Sequence, residues 1–317
     1  MFTVGLGPIA NSVFAITTMA IAVPTGVKVL NWIATLWGGS ISFRTPMLFA
    51  LGFIAMFTIG GISGVMHAIA PSDAQQQDTY FVVAHIHYVL FGGAIFAIMA
   101  GIYYWFPKFS GKMYNESLGK LHFWLMTIGF NLSFFPMHFA GMYGMPRRIY
   151  IYNEGMGWEI YNMMSTVGAF IMAFSFLIFI YNMVANWKNG EAAPDDPWDA
   201  RTLEWSISSP PPEYNFVNIP VVRTLDDWWN TKHGDSGHLP MPAAGGSEDT
   251  QEHHDIHLPQ PSYWPIILSF GLMLLGFGFI YNFFIGGLGA AIAMIAVYAW
   301  SFEPVNDPDP DPENNHH

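Results

Sequence analysis

The chain has 317 residues, 52% of them hydrophobic and 17% aromatic, with 11% charged and a mean hydropathy of +0.31. A soluble globular domain carries about 25% charged residues, so this composition excludes an ordinary soluble domain and implies a membrane protein. The absence of Cys excludes disulfides, thiolate metal sites and cofactors attached through Cys. The formal net charge of −12, most of it beyond residue 190, argues against nucleic acid as a partner.

Runs of about 18 or more apolar residues with few charges are expected to cross a membrane as helices. In chain order they fall at 13–36, with Pro24 and a single charge, Lys28, then 46–69, with His67 near its end, and 80–105. The next are 121–142, with His122 and His138, and 161–187, rich in Phe, Met and Ile. The last two, 264–281 and 284–300, are joined so tightly that they imply a helical hairpin. The expected fold class is all-α, a polytopic membrane helical bundle of about seven transmembrane helices. Its expected divisions are five helices in 1–190, a polar insert at 191–262, the hairpin within 263–301 and an acidic disordered tail at 302–317. No Lys or Arg precedes Lys28, so nothing at the N-terminus reads as a signal peptide. Trp37, Tyr80, Trp105, Trp187, Trp264 and Trp300 stand at span ends, as interfacial belts require.

Single spans separate 37–46, 106–120 and the start of the insert, so these segments share one side. They carry Arg44, Lys108, Lys112, Lys120 and Lys188, whereas the opposite loops hold only Arg147 and Arg148. The positive-inside rule puts the first group, with the insert and the C-terminal tail, in the cytoplasm. Pro210-Pro211-Pro212 and Gly245-Gly246-Ser247 read as linker. His253, His254 and His257 tempt as a metal site, but short His tracts in acidic linkers are usually solvated.

The third span holds the most informative pair, His85 and His87. Ionisable residues in a membrane helix are costly and mark functional sites by default. Positions i and i+2 point about 200° apart with about 3 Å difference in height, so they do not share one metal. Each can hold a separate centre on its own side of the helix, and a His is a standard axial ligand of haem iron. The alternative is two buried histidines hydrogen-bonded to neighbouring helices. Lys28 is the second signal: Thr18, Thr25 and Lys28 fall broadly on one face, a line able to carry protons. A lysine snorkelling to the interface is the competing reading. Arg147 and Arg148 stand just outside a span, on the side where the two-histidine helix begins. They suit carboxylates bidentately, or lipid phosphate. Asp73 and Asp78 on the same side suit hydrogen-bond donors or a hard cation, or are simply solvated.

Several motifs together carry a resemblance. Pro24-Thr25-Gly26-Val27-Lys28, Asp78-Thr79-Tyr80-Phe81-Val82-Val83-Ala84-His85-Ile86-His87-Tyr88, Phe135-Pro136-Met137-His138-Phe139 and Gly144-Met145-Pro146-Arg147-Arg148 resemble subunit I of haem–copper oxidases of the cytochrome c oxidase type. The likeness runs over about residues 1–216 and corresponds to the C-terminal portion of that subunit. It implies that His85 is the axial ligand of a high-spin haem and His87 one of two axial ligands of a low-spin haem. Arg147, Arg148 and Asp73 would lie at the haem propionates, Lys28 with Thr25 and Thr18 in a proton channel, and Asp78 at a magnesium site. That last site is in doubt, because Gln77 stands where the family commonly has a His ligand.

The resemblance places the copper-ligating histidines and the second low-spin haem ligand upstream of Met1, so this chain alone would be incomplete. The implied cofactors are two haems, copper held by ligands outside this chain, and magnesium. The implied partners are the N-terminal part of subunit I, a subunit II with copper and its cytochrome c donor, a subunit III and the lipid bilayer of the plasma membrane. The implied activity is a respiratory terminal oxidase that reduces O₂ to water and translocates protons. Rivals are a nitric oxide reductase-like or quinol oxidase member of the superfamily, and a non-catalytic membrane transporter or scaffold with structural histidines.

Overall fold

A computed structural model describes residues 2–213, 215–216, 219–234 and 262–303. The helices, in chain order, are α1 (Gly7–Leu36), α2 (Thr45–Ala68), α3 (Ala70–Gln76), α4 (Tyr80–Leu90), α5 (Phe96–Ser110), α6 (Glu116–Met142), α7 (Glu159–Asn189), α8 (Asp227–His233), α9 (Trp264–Tyr281) and α10 (Phe283–Ser301). A π turn, Phe91–Ile95, joins α4 to α5, so the third predicted span is one rod from Tyr80 to Ser110. Among the described residues, six helical segments are long and apolar enough to cross a membrane, against seven expected. The difference is α6, which has 27 residues but carries Glu116, Lys120, His122, Asn131 and His138. These polar groups meet protein partners: His122 is fully buried, and Asn131 accepts from the Tyr88 hydroxyl at 2.7 Å.

Local chemistry sets the helix starts. The Thr79 hydroxyl accepts from Phe81 N–H at 3.2 Å and caps α4, and Asn115 Oδ1 accepts from Leu118 N–H at 3.0 Å and caps α6. In the first unit, Met1–Gly245, neighbours in sequence are neighbours in space. α1 packs on α2, α2 on both α4 and α5, α4 on α6, and α6 on α7. The core is aromatic: Phe49, Phe96, Tyr103 and Phe130 are all at most 1% exposed. Glycine makes the closest crossings possible. A Cβ at Gly129 of α6 would stand 2.8 Å from the Met172 nitrogen and 2.9 Å from the Gly168 oxygen of α7. Ser133 and Ser165 lock the same crossing by donating to each other's carbonyls at 3.0 and 2.7 Å.

The loops gather at two ends. At one, Met113 N–H donates to Glu191 O and Ala193 N–H to Gly111 O, while Lys108 Nζ donates to the carbonyls of Asp195, Ile207 and Ser208. The start of the insert is thus bound to the bundle end rather than running free, because a buried ammonium collects its carbonyls. At the other end, Tyr80 N–H donates to Met145 O and Arg147 N–H to Asp78 O. The predicted partition of loops into two sets matches these contacts.

The second unit contains α9 and α10, which turn on Asn282, whose Oδ1 accepts from Phe284 N–H at 2.8 Å. Gly271, Gly278, Gly286 and Gly289 line their contact. Residues His253, His254 and His257 and the tail from 304 onward lie outside the described residues.

Candidate functional site

The site is built on α4, held between α2 and α6. His85 faces α2. Its Nδ1 lies 3.0 Å from the Gly60 carbonyl and 2.9 Å from Ser63 Oγ, and its Cε1 is 3.1 Å from where a Cβ on Gly64 would stand. His87 faces α6, its ring stacked on Phe134 at 4.1 Å between centroids and 14° between planes. Its Nδ1 lies 2.7 Å from the Val83 carbonyl, one turn back on its own helix.

These contacts fix the tautomers. A carbonyl only accepts, so Nδ1 carries the proton in both rings and Nε2 keeps its lone pair. Neither Nε2 has a hydrogen-bond partner among the described residues, and both rings are half-buried. A neutral imidazole with Nδ1–H tied to a carbonyl and Nε2 free is the form that binds a metal. The two side chains serve opposite sides of one helix, as their spacing predicts, so the donor set fits two separate irons.

Other histidines behave differently. His138 donates through Nδ1 to Phe135 O at 3.2 Å and packs against Phe81 and Tyr88. His122 lies beside the Tyr103 hydroxyl at 3.0 Å, within a cage of Phe49, Phe176 and Phe179. His67 Nδ1 is 3.0 Å from Asp73 Oδ1.

The outer end presents Asp78 and Arg147 as a pair. Asp78, in the left-handed region with φ 57°, accepts from Arg147 Nε at 2.8 Å and Nη2 at 2.6 Å through one oxygen. Arg148 (φ 67°) is exposed beside it. The carboxylate expected to bind magnesium is therefore engaged by a guanidinium, and Gln77 only closes α3. No group of three His, Cys, Asp or Glu side chains comes together among the described residues. The residues present do not fit a magnesium site within this chain.

Lys28 and Thr18 are exposed on α1, a helix with no buried residue, and the Lys28 ammonium lies 5.9 Å from the Trp32 ring. Thr25 donates to Ile21 O at 2.9 Å within its own helix. No hydrogen bond joins Thr18, Thr25 and Lys28 among the described residues.

Sequence reasoning missed the seat of His85: Gly60, Ser63, Gly64 and His67. The signal that could have found it was their spacing of i, i+3, i+4 and i+7, which puts them on one face of α2. Phe134 was also missed, and nothing in the sequence sets it apart from its Phe neighbours.

A family model described as cytochrome c and quinol oxidase polypeptide I matches residues 1–171. The cytochrome c oxidase subunit 1 of Bacillus sp. (strain PS3) is 52% identical over 284 residues, covering 89% of this chain and 45% of that protein. The quinol oxidase subunit 1 of Bacillus subtilis (strain 168) is 43% identical over 306 residues, covering 95% of this chain and 46% of that protein. A solved heme-copper terminal oxidase dimer shares the fold at a TM-score of 0.52 and 19% identity, over 60% of this chain and 39% of that one. This chain spans 45–46% of the length of these two curated relatives.

Proposed function

Because the chain belongs to the cytochrome c and quinol oxidase polypeptide I family, we propose that it forms part of the catalytic subunit of a respiratory terminal oxidase. In this reading the assembled enzyme would take electrons from cytochrome c, reduce O₂ to water and translocate protons, with a low-spin haem and a haem–copper centre supplying the redox chemistry. One observation carries it: His85 and His87 leave opposite sides of α4 with Nδ1 tied to a carbonyl and Nε2 free.

His85 would hold the high-spin haem and His87 the low-spin haem. When bound, the haems would supply one-electron chemistry. The chain's own residues do the rest. Gly60 O and Val83 O hold the ligand tautomers, Phe134 supports the His87 ring, and Arg147 and Arg148 would form a polar rim for the haem carboxylates, while Asp73 is engaged by His67. Lys28, with Thr25 and Thr18, would carry protons once further helices cover α1. Copper and the second low-spin haem ligand would come from a preceding part of subunit I, with subunits II and III as further partners. The protein would be a multi-pass plasma-membrane protein, with the Lys108 end, the insert and the tail in the cytoplasm. Magnesium at Asp78 has no support in the geometry.

The second reading is a quinol oxidase, favoured by the 43% identity to such a subunit over 95% of the chain. Reduced-minus-oxidised spectra of the purified complex, with and without carbon monoxide, test the core assignment. His85→Ala should remove the carbon monoxide-responsive haem and His87→Ala the low-spin signal. Two normally ligated haems in both variants would overturn it. Lys28→Met should keep both haems and slow turnover, and unchanged turnover would reduce Lys28 to packing.

A further inference from the structure

Gly60, Ser63, Gly64 and His67 form one stripe along α2, and the His85 ring lies against all four. Gly60 O and Ser63 Oγ hold its Nδ1, and Gly64 makes room at Cε1. His67 closes the seat edge-on, with ring centroids 4.9 Å apart and planes at 63°. Phe81 of α4 meets the His67 ring edge-on at 5.3 Å.

His67 is itself tethered. Its Nδ1 lies 3.0 Å from Asp73 Oδ1 on α3, and the two side chains are only 14% and 15% exposed. Its Nε2 is buried without a hydrogen-bond partner. A Phe or Leu would fill the same space without stranding a buried nitrogen, which is costly. Packing alone therefore does not account for a histidine here. What an imidazole adds over an apolar residue is the tether to Asp73, which stops the ring from swinging away from His85.

We propose that His67, held by Asp73, is a positioning residue that fixes the plane in which His85 presents Nε2 to its haem iron. The inference rests on the reading of His85 as a haem ligand and extends it to a second rank of residues. Such outer partners set the orientation of a ligating imidazole and tune the metal. The tether also joins the ligand to α3, so displacement of the outer loop would reach the iron through this pair.

The test uses the assembled, haem-loaded complex and reads the iron–histidine stretching band of the ferrous high-spin haem by resonance Raman. His67→Ala should displace and broaden that band and leave the low-spin haem spectrum unmoved. His67→Phe, which keeps a ring at the site, should bring the band back towards the parent position. Asp73→Asn should displace the band in the parent background and add nothing in the His67→Phe background, since it acts through His67. Equal displacement in both backgrounds, or none in the parent, overturns the proposal even where the Ala variant fails to assemble. A Phe variant as displaced as the Ala variant overturns the ring-contact argument. Failure of the underlying reading looks different: the parent complex would show no such band, or would keep it in His85→Ala.

Discussion

Gly64→Ala probes the seat of His85 with a single methyl group. The new Cβ would stand 3.1 Å from His85 Cε1, inside the 3.5–4.0 Å optimum for carbon pairs. The imidazole cannot retreat freely, because its Nδ1 is held at 3.0 and 2.9 Å by Gly60 and Ser63, and the His67 ring lies beside it. The cost falls in the overpacking range of about 1–3 kcal/mol, or roughly 5- to 150-fold on a binding equilibrium. It should be read at the high-spin haem alone. Haem extraction with carbon monoxide difference spectra measures the carbon monoxide-reactive fraction against the low-spin haem. Two neighbours calibrate the experiment. Gly61→Ala meets nothing within 4 Å and should match the parent. Gly60→Ala would place a Cβ 2.9 Å from the Val89 nitrogen, forcing α2 and α4 apart, and should cost both haems. A Gly64→Ala complex with parental carbon monoxide-reactive haem and an unshifted spectrum would refute the seat as described.

Phe134→Leu should weaken or shift the low-spin haem band and spare the carbon monoxide-reactive haem, since an aromatic contact of this kind contributes about 0.5–1.5 kcal/mol beyond area; equal effects on both haems would contradict it. Lys108→Met removes donors to Ile207 O at 2.8 Å, Asp195 O at 3.1 Å and Ser208 O at 3.3 Å. A loss of about 2–4 kcal/mol should speed amide exchange across 195–208 by roughly 30- to 1000-fold, and unchanged exchange counts against the staple. The docking of α8 should weaken at both pH extremes. Lys232, then His233, hold the Asp199 carboxyl below its usual range, so its contribution is present above about pH 4 and fades as pH falls through the lowered value. Burial pulls the Lys232 ammonium down, but Asp196 and Asp199 outweigh it and the net displacement is upward. Its contribution is present below about pH 10 and fades as pH rises through the raised value. Amide protection factors over Asp227–His233, corrected for the intrinsic pH dependence of exchange, should therefore fall below about pH 4 and again above about pH 10, and unchanged protection at either extreme would rule this out.

The spans were legible because hydrocarbon thickness fixes the length of an apolar run. Their ends were less so. α6 begins at Glu116, five residues before the apolar run, because Asn115 caps a polar first turn that hydropathy reads as loop. The third span continues through Pro107 to Gly111, which ends it in the left-handed region. The opposed directions of His85 and His87 followed from helical geometry alone. Their surroundings did not, because which face of α2 meets α4 is a tertiary fact. The same limit hid the partner of Asp78: the sequence put it at the same end as Arg147, but only the turn at φ 57° brings the carboxylate to the guanidinium. Lys108 was counted as one cation of an inner loop, whereas its three carbonyl partners lie 87–100 residues downstream.

The tautomers of the two candidate ligands depend on main chain, not on side chains. Gly60 O and Val83 O accept from Nδ1, and no substitution at those positions removes a carbonyl. The Asp73 carboxylate bonds His67 rather than either candidate ligand. The backbone that carries them is equally constrained. Gly60 receives the backbone of Val89 on one side of α4, and Gly141 receives that of Phe81 on the other, so the helix has little freedom to shift between α2 and α6. Two ligands on one clamped helix keep their separation whatever the loops do, and about 3 Å of rise between them is set by helical geometry alone. Two centres held in this way would keep a fixed separation, and the Asp73–His67 pair is the contact that links His85 to α3.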